Sequence, residues 1–500
     1  MSNRRGTDLS RRRLLQGAGG LVAAALPVRA GLQAAGAPRQ ASAASTRATG
    51  DVTARLARYM VVARDRDLPP RVARDAKDRI LDTIGAMVSG STLPPGAVVA
   101  KYVRGQGGTP EASVLTTDIR TTAVNAALAN AMLAHADETD DFEPVTKAHP
   151  GSCVVPAAFA MGEKEGRSGA EFLRAVALGY DLCCRFLMAL GPDHVRGTHR
   201  SAEGTSSTFG AVGAAAALAR LDETGMRYAV SYAAQQVSGL WSWTRDEDHV
   251  EKAFDFSGMG ARNGVTAVTM VQAGFTGVHD VLDGQHNMII ALSDEPKPEE
   301  MVADLGSRFY VSETAIKVFS VGYPIQSPLD AFLTLRREHG LRPDNVAKVV
   351  VKLPPDGAGI VSDSAMPDVN CAHLIAVALI DGTVSFDMSH SRERMADPQV
   401  RAIRARVEVM GDTALIDPAA PRNARVEVTT TDGRMVQHLT RHPPGTKENP
   451  LTPAQVADKT RGLIAPVLGE ARANAVIERV NTLETLGNVR ELVALLTRRA

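Results

Sequence analysis

The sequence predicts a mainly α protein: a large all-α helical domain assembled from both ends of the chain, with an α+β lid domain inserted between them. Three observations carry this expectation. From Asp51 to about Ala291, apolar residues recur at helical spacing with little interruption. Between about Tyr310 and Arg441, short runs alternate apolar and polar residues, as strands with one buried face do. From residue 442 onward the helical pattern returns. The expected division is a leader over 1–50, the first part of the helical domain over 51–309, the α+β lid over 310–441 and the C-terminal part of the helical domain over 442–500. A chain of 500 residues is also longer than one compact core usually serves.

The leader contains "SRRRLLQGAGGLVAAALPVRA". A charged start, a short apolar run and a small-residue exit are the features of an export signal. Ser10, Arg11 and Arg12 followed by Leu14 and Leu15 resemble the twin-arginine type, read by a translocase that moves folded proteins. The apolar run is too short and too rich in Gly and Ala for a good membrane span. Cleavage is expected after Ala30 or near Ala43, and the mature protein is expected to be periplasmic or secreted.

The elements then follow in order. "DLPPRVARDAKDRILDTIGAMVSGS" opens on proline and closes at Gly90, a helix with both boundaries marked. "TTAVNAALANAMLAHA", "GAEFLRAVALGYDLCCRFLMAL", "TFGAVGAAAALARL", "GMRYAVSYAAQQVSGLW" and "GARNGVTAVTMVQAGFTG" predict further helices. The third of these is expected to begin near Thr208. Their wealth of Ala and Gly predicts helices that approach closely and pack by shape. "VAKVVVKLP" and "ARVEVTTTDGRMVQHLTRHPPG" predict strands, with Asp432-Gly433 as the hairpin turn. "PIQSPLDAFLTLRREHGL" and "CAHLIAVALIDG" predict helices between them. "TPAQVADKTRGLIAPVLGEARANAVIERV" and "LGNVRELVALLTRR" predict the C-terminal helices, starting with Pro453 after a Thr cap.

Composition narrows the function. An apolar fraction of 44% and a charged fraction of 22% fit a soluble globular protein. Net charge is zero and no basic run follows the leader, which argues against nucleic acid as a partner. Aromatic residues make up 4%, too few for base-stacking platforms. The four cysteines, Cys153, Cys183, Cys184 and Cys371, have no metal-ligand spacing, and free buried thiols are the expectation. Only 11 of the 56 basic residues are lysine, so a lysine within a motif stands out.

The densest chemistry lies in "HADETDDFEPVTKAHPG", His135 to Gly151, with two histidines, five carboxylates and a lysine between apolar stretches. Asp137, Glu138, Asp140 and Asp141 fall within five positions, where carboxylates raise one another's pKa unless cations or a ligand compensate. If the preceding helix runs through His135, then His135 and Glu138 share one face and Asp137 and Asp141 another. A histidine and a carboxylate facing one pocket can serve proton transfer; an exposed charged helix end is the plainer reading, and a metal site the less supported one. Three further segments add candidates. "RGTHRSAEGTSSTFG" sets His199 before hydroxyls and a helix start, a setting that suits a carboxylate. "TRDEDHVEKAFDFSG" contains Lys252, and "ETAIKVFSVGYPIQS" contains Lys317 at the expected domain junction, where small-molecule clefts form. For His199 and Lys252 taken singly, a surface or paired role is the plainer reading. There is no GxxxxGK[ST] loop, no GxGxxG after a strand, no GxSxG elbow and no HExxH, so a nucleotide cofactor is not supported.

In order and context, the acidic-His segment together with "AKDRILDTIGAMVSGS", "THRSAEGTSSTFGAVGAAAAL", "ARNGVTAVTMVQAGFTGVHDVLDG", "ETAIKVFSVGYPIQSPLDA" and "NPLTPAQVADKTRGLIAPVLG" resembles the MmgE/PrpD family. That family is typified by 2-methylcitrate dehydratase and also contains cis-aconitate decarboxylase and an epimerase of iminodisuccinate. The resemblance runs from about Val52 to the C-terminus. It implies the helical domain with an inserted lid, a homodimer, and no metal or organic cofactor. It places catalytic roles on His149, His199 and Glu138, with Lys252 and Lys317 holding carboxylates of a small polycarboxylate substrate; Asp141, His373 and Arg262 complete the expected substrate-binding set. The implied activity is a cofactor-independent lyase, a hydro-lyase first, which abstracts a proton next to a carboxylate. A decarboxylase, an isomerase or epimerase, and a non-catalytic exported carboxylate-binding protein are the alternatives. The sequence departs from the family pattern in four places. Glu138 stands where many members have Asp, no His follows Lys317, Asp255 stands near where relatives read His, and His373 stands where Tyr is common.

Overall fold

The computed structural model describes residues 51–498, so the twin-arginine motif and its cleavage region lie outside the described residues. The protein is mainly α. Helices α1 (Val52–Asp65), α2 (Pro70–Gly90) and α3 (Pro94–Gln106) lead through a two-residue antiparallel pair, β1 (Ala112–Ser113) with β2 (Arg120–Thr121), into α4 (Ala123–Ala134). After the acidic-His segment come α5 (Pro150–Glu165), α6 (Gly169–Leu190), α7 (Pro192–Gly197), α8 (Ala202–Leu218), α9 (Glu223–Ala234), the single turn α10 (Val250–Ala253) and α11 (Met259–Gln272). The starts follow local chemistry. Proline stands in the first turn of α2, α3 and α5, where its missing N–H costs nothing. Thr122 caps α4, and Ser168 with Glu171 closes a capping box on α6.

Helix α8 begins at Ala202, six residues before the expected Thr208, because Ser201 accepts a hydrogen bond from the Gly204 amide at 2.9 Å and caps it there. Ser206 and Ser207, inside the helix, donate to carbonyls one turn back. The close approach predicted from Gly and Ala content is visible between α8 and α11. A Cβ on Gly264 would lie 2.5 Å from the Ala211 Cβ and 2.6 Å from the Val212 amide.

Among the described residues there are two large hydrophobic cores and a small cluster of Phe142, Ala315 and Tyr323. The first gathers α1 to α11 and, from the other end of the chain, Val456, Ile464, Val476, Val480, Leu492 and Leu496 of the helices Pro453–Leu468, Glu470–Asn481 and Arg490–Leu496. The second lies between Val321 and Val428 and packs helices Gln326–His339 and Cys371–Asp381 against a four-stranded sheet. Its strands are β3 (Val346–Leu353), β4 (Val407–Gly411), β5 (Ala424–Thr430) and β6 (Met435–Thr440), in the order β4-β3-β5-β6. Strand β3 runs parallel to β4 and antiparallel to β5, and the β5–β6 hairpin turns at Asp432-Gly433 as expected. The sequence reading did not anticipate β4. The pentapeptide ARVEV at 405–409 leads into it and recurs at 424–428 in β5, so two strands sharing VEV flank β3. The cores do not separate into two bodies: the described residues form one compact unit. None of the described helices is long and apolar enough to cross a membrane.

Candidate active site

Helix α4 ends at Ala134, and the chain turns inward instead of continuing through His135. The helix that was to make two faces is therefore absent, although His135 Nε2 still lies 3.6 Å from Glu138 Oε1. A left-handed Glu138 (φ 54°) throws alternate acids in different directions. Asp137 accepts from the Ser89 hydroxyl at 2.5 Å and from the Thr139 amide at 3.1 Å. Asp141 accepts from the Tyr180 hydroxyl at 2.7 Å and from the Gly151 amide at 2.8 Å. Burial raises both carboxyls to about 7, only partly opposed by these bonds.

Glu138 and Asp140 turn the other way and meet cations. Lys252 donates to Glu138 Oε1, and Lys317 lies 3.2 Å from Glu138 Oε2 and 3.3 Å from Asp140 Oδ1. Burial alone would raise Glu138, but Lys252 and Lys317 outweigh it and hold the group well below the ordinary range. Asp140 is also held well below its usual value against burial, by His135, His149 and Lys317. Lys317 is fully buried, yet Asp140 and Glu138 overcome the burial and raise it, which keeps the ammonium charged. Lys252 is presented by α10 just before a π-helical turn, Phe254–Gly258, and its ammonium lies over Trp243 and Phe256 at 4.9 and 5.1 Å. Such turns recur at functional sites because they re-aim one side chain without ending the helix.

Asp140 Oδ2 receives two imidazoles, His149 Nδ1 at 2.9 Å and His135 Nδ1 at 3.0 Å. With its Nδ1 proton committed to that carboxylate, His149 has Nε2 left to take or deliver a proton. His149 stands at the N-cap of α5, and its ring meets Phe142 and Phe256 edge-on or tilted at about 5 Å. His135 has no exposed surface, stacks on Phe256 at 4.3 Å, and is pushed by burial to about 4, so it is neutral near pH 7. His249, also in a left-handed backbone (φ 61°), lies 3.5 Å from Glu138 Oε1 and 3.4 Å from Asp368 Oδ2. Two strained non-glycine residues pointing at one centre is a pattern of functional sites.

His135, Glu138 and His249, or His135, Asp140 and His149, bring three potential ligand atoms within 4.8 Å. Lys252 and Lys317 already occupy both Glu138 oxygens and one Asp140 oxygen, so a divalent ion there would have to displace or face two ammonium groups. The arrangement is built to bind anions and move protons.

Comparison with known proteins agrees with this chemistry. Residues 54–301 match the MmgE/PrpD N-terminal domain, and residues 319–485 match the MmgE/PrpD C-terminal domain. The chain belongs to the MmgE/PrpD family. It is similar to the cis-aconitate decarboxylase-like protein oryM of Aspergillus oryzae, 25% identical over 90% of this chain and 98% of the relative. A cis-aconitate decarboxylase of Aspergillus terreus is also 25% identical, over 91% and 97%. The MmgE/PrpD protein is an enzyme, and the non-catalytic reading is set aside.

Of the residues expected in this MmgE/PrpD site, Glu138, His149, Lys252 and Lys317 come together. Four others do not join them. His199 is exposed in a left-handed turn (φ 62°), and its carbonyl accepts from the Trp241 amide. His373 is buried in the second core, and neither ring nitrogen has a described partner. Arg262 bonds its neighbour Asn263 and lies over Phe254. Asp141 is adjacent to the centre but spent on Tyr180 and Gly151, where it organises the start of α5. Asp255, at the position where relatives read His, accepts from the Leu240 amide at 3.1 Å and takes no part. Sequence reasoning missed His249 and Asp368 and gave no catalytic role to Asp140 or His135. His249 had a signal, standing three residues before Lys252; Asp368 had none.

Proposed function

We propose that the protein is a cofactor-independent lyase acting on a small polycarboxylate, and that decarboxylation is the reaction its centre suits best. The observation that carries this is His149, backed by Asp140 and set beside a Glu138 that two buried lysines bracket. An incoming carboxylate exchanges with Glu138 or Asp140 for Lys252 and Lys317. As the carbon–carbon bond to a departing carboxylate breaks, its electron pair stays on the substrate and spreads into the neighbouring conjugated carboxylate. The two ammonium groups steady that charge in a site shielded from water. His149 Nε2 delivers one proton to carbon, and carbon dioxide leaves. One acid suffices for this step, and His149 supplies it. The decarboxylases among the relatives support the same reading.

Dehydration is the second reading, and one observation favours it: His249 offers a second imidazole 3.5 Å from Glu138, and elimination of water needs a base and an acid. The α+β core would act as a lid in either case, since it supplies Asp368 to His249. Incubation of the mature protein with cis-aconitate, 2-methylcitrate, citrate and iminodisuccinate in deuterated water, followed by NMR, separates the readings. Decarboxylation releases carbon dioxide with one deuterium placed on carbon. Loss of water from 2-methylcitrate, with unsaturated tricarboxylates untouched, would replace it with the hydro-lyase; exchange without elimination would indicate an isomerase. His149→Ala should abolish turnover in each.

A further inference from the structure

Glu138 and His249 hold backbone conformations that side-chain-bearing residues rarely adopt, at φ 54° and 61°. Such residues persist only where their surroundings fix them. For these two, part of the fixing comes from the α+β core. His390 ends the short helix Phe386–His390, whose Met388 packs against that core. His390 Nε2 lies 3.0 Å from the carbonyl of Asp137, the residue before Glu138. A carbonyl only accepts, so this nitrogen carries a proton and donates it. The other ring nitrogen stays within its own helix, 2.8 Å from the Phe386 carbonyl and 3.1 Å from Ser389 Oγ. Asp368 stands in the turn Pro367–Val369, ahead of the helix Cys371–Asp381. It is buried, and its Oδ2 lies 3.4 Å from His249 Nδ1 and 3.8 Å from His390 Nε2. Burial alone would raise the carboxyl, but His249 and then His390 outweigh it and hold it below its ordinary range. The Asp368 carbonyl also accepts from the Gly322 amide at 2.9 Å, in the loop that follows Lys317.

One buried carboxylate thus stands between an imidazole of the helical body and an imidazole of the α+β core. With Nδ1 turned towards Asp368, His249 presents Nε2 to the centre. That nitrogen is buried with no hydrogen-bond partner among the described residues, 3.5 Å from Glu138 Oε1. His135 Nε2 is likewise unpartnered, 3.6 Å from the same oxygen, which Lys252 also reaches. Buried polar atoms left in that state cost stability unless a ligand engages them. The two residues that hold this convergence from the far side of the domain boundary are Asp368 and His390.

We propose that Asp368 and His390 are positioning residues for the lyase reaction: from the α+β core they hold His249 and Glu138 in their left-handed conformations, so that His249 Nε2 meets the substrate beside Lys252. This rests on the polycarboxylate-lyase reading. The test is steady-state kinetics of the mature wild type, D368N, H249A, the double variant D368N/H249A, H390L and H390Q on the polycarboxylate that wild type turns over. Thermal melts give the folded fraction to which each kcat is referred. D368N, close to isosteric, should lower kcat about tenfold or more with a smaller change in KM, because small misplacements of a reacting group are enough. In the H249A background the same change should cost less than about twofold, since Asp368 acts through His249. H390L should fall about as far as D368N, and H390Q, whose amide still donates to the Asp137 carbonyl, should recover most of the loss. Losses from D368N and H249A that multiply in full in the double variant would overturn the role of Asp368, as would wild-type kcat in D368N. Equal kcat in H390L and H390Q would overturn the role of His390. Either result with an active wild type sinks the positioning alone. A wild type that turns over no polycarboxylate sinks the parent reading, and this inference with it.

Discussion

Asp137, Glu138, Asp140 and Asp141 are chemically near-equivalent in the sequence and opposite in the fold. Two are hydroxyl-bound and raised to about 7, and two are lysine-bound and lowered. The density of acids was legible; the division of labour was not, because it depends on one left-handed residue and on cations from distant segments. Asp140 is the group on which this prediction turns. Asp140→Asn should remove the acceptor that orients His149 and lower kcat by about 10²–10⁴, with a smaller change in KM, in steady-state kinetics. His373 yields a stability prediction. Burial lowers it to about 4, whereas an unfolded histidine titrates near 6.5. Between those values the unfolded chain holds the extra proton, so stability present above pH 6.5 is lost as pH falls towards 4. His373→Leu should flatten that loss and, by removing two unpartnered buried nitrogens, raise stability by about 1–3 kcal/mol at neutral pH. Thermal melts across pH 4–7 measure both.

Among the elements, helices with marked ends were the most readable: α2, α4 and α6 begin at the proline, threonine and serine signals in their sequence. Strand β4 was hidden because ARVEV sits between short helices and alternates for only five residues. The π turn that aims Lys252 was hidden as well, since nothing in "KAFDFSG" distinguishes it from an ordinary helix. The contact of α8 with α11 rests on a missing side chain. Gly264→Ala would force the helices apart and should destabilise by about 1–3 kcal/mol, read as a lower urea midpoint at unchanged slope. Lys252 precedes α11, with the π turn between them, so activity in the folded fraction should fall less than stability does.

At the scale of the molecule, an all-helical body drawing on both ends of the chain was evident from periodicity, and family resemblance located four of the eight expected site residues. Long-range packing decided the rest. Export by the twin-arginine translocase and a homodimeric state remain proposals from the sequence. R11K/R12K should trap the protein in the cytoplasm of an expressing bacterium, as fractionation would show, and sedimentation would give the oligomeric state. The helix Pro453–Leu468 also does more than fill the first core. Its Lys459 pairs with Asp82 of α2 at 2.5 Å and bonds the Thr139 carbonyl at 3.1 Å, so it latches the turn between Glu138 and Asp140. Lys459→Met should leave that turn unfastened and lower kcat about tenfold or more, in line with the cost of small misplacements. Translation makes this latch after every ligand of the two histidine–carboxylate pairs. Glu138, His149, Lys252, Lys317 and Asp368 all precede Lys459 in the chain, so the clasp is the last of these parts to leave the ribosome, and the turn is fastened only when synthesis is nearly complete.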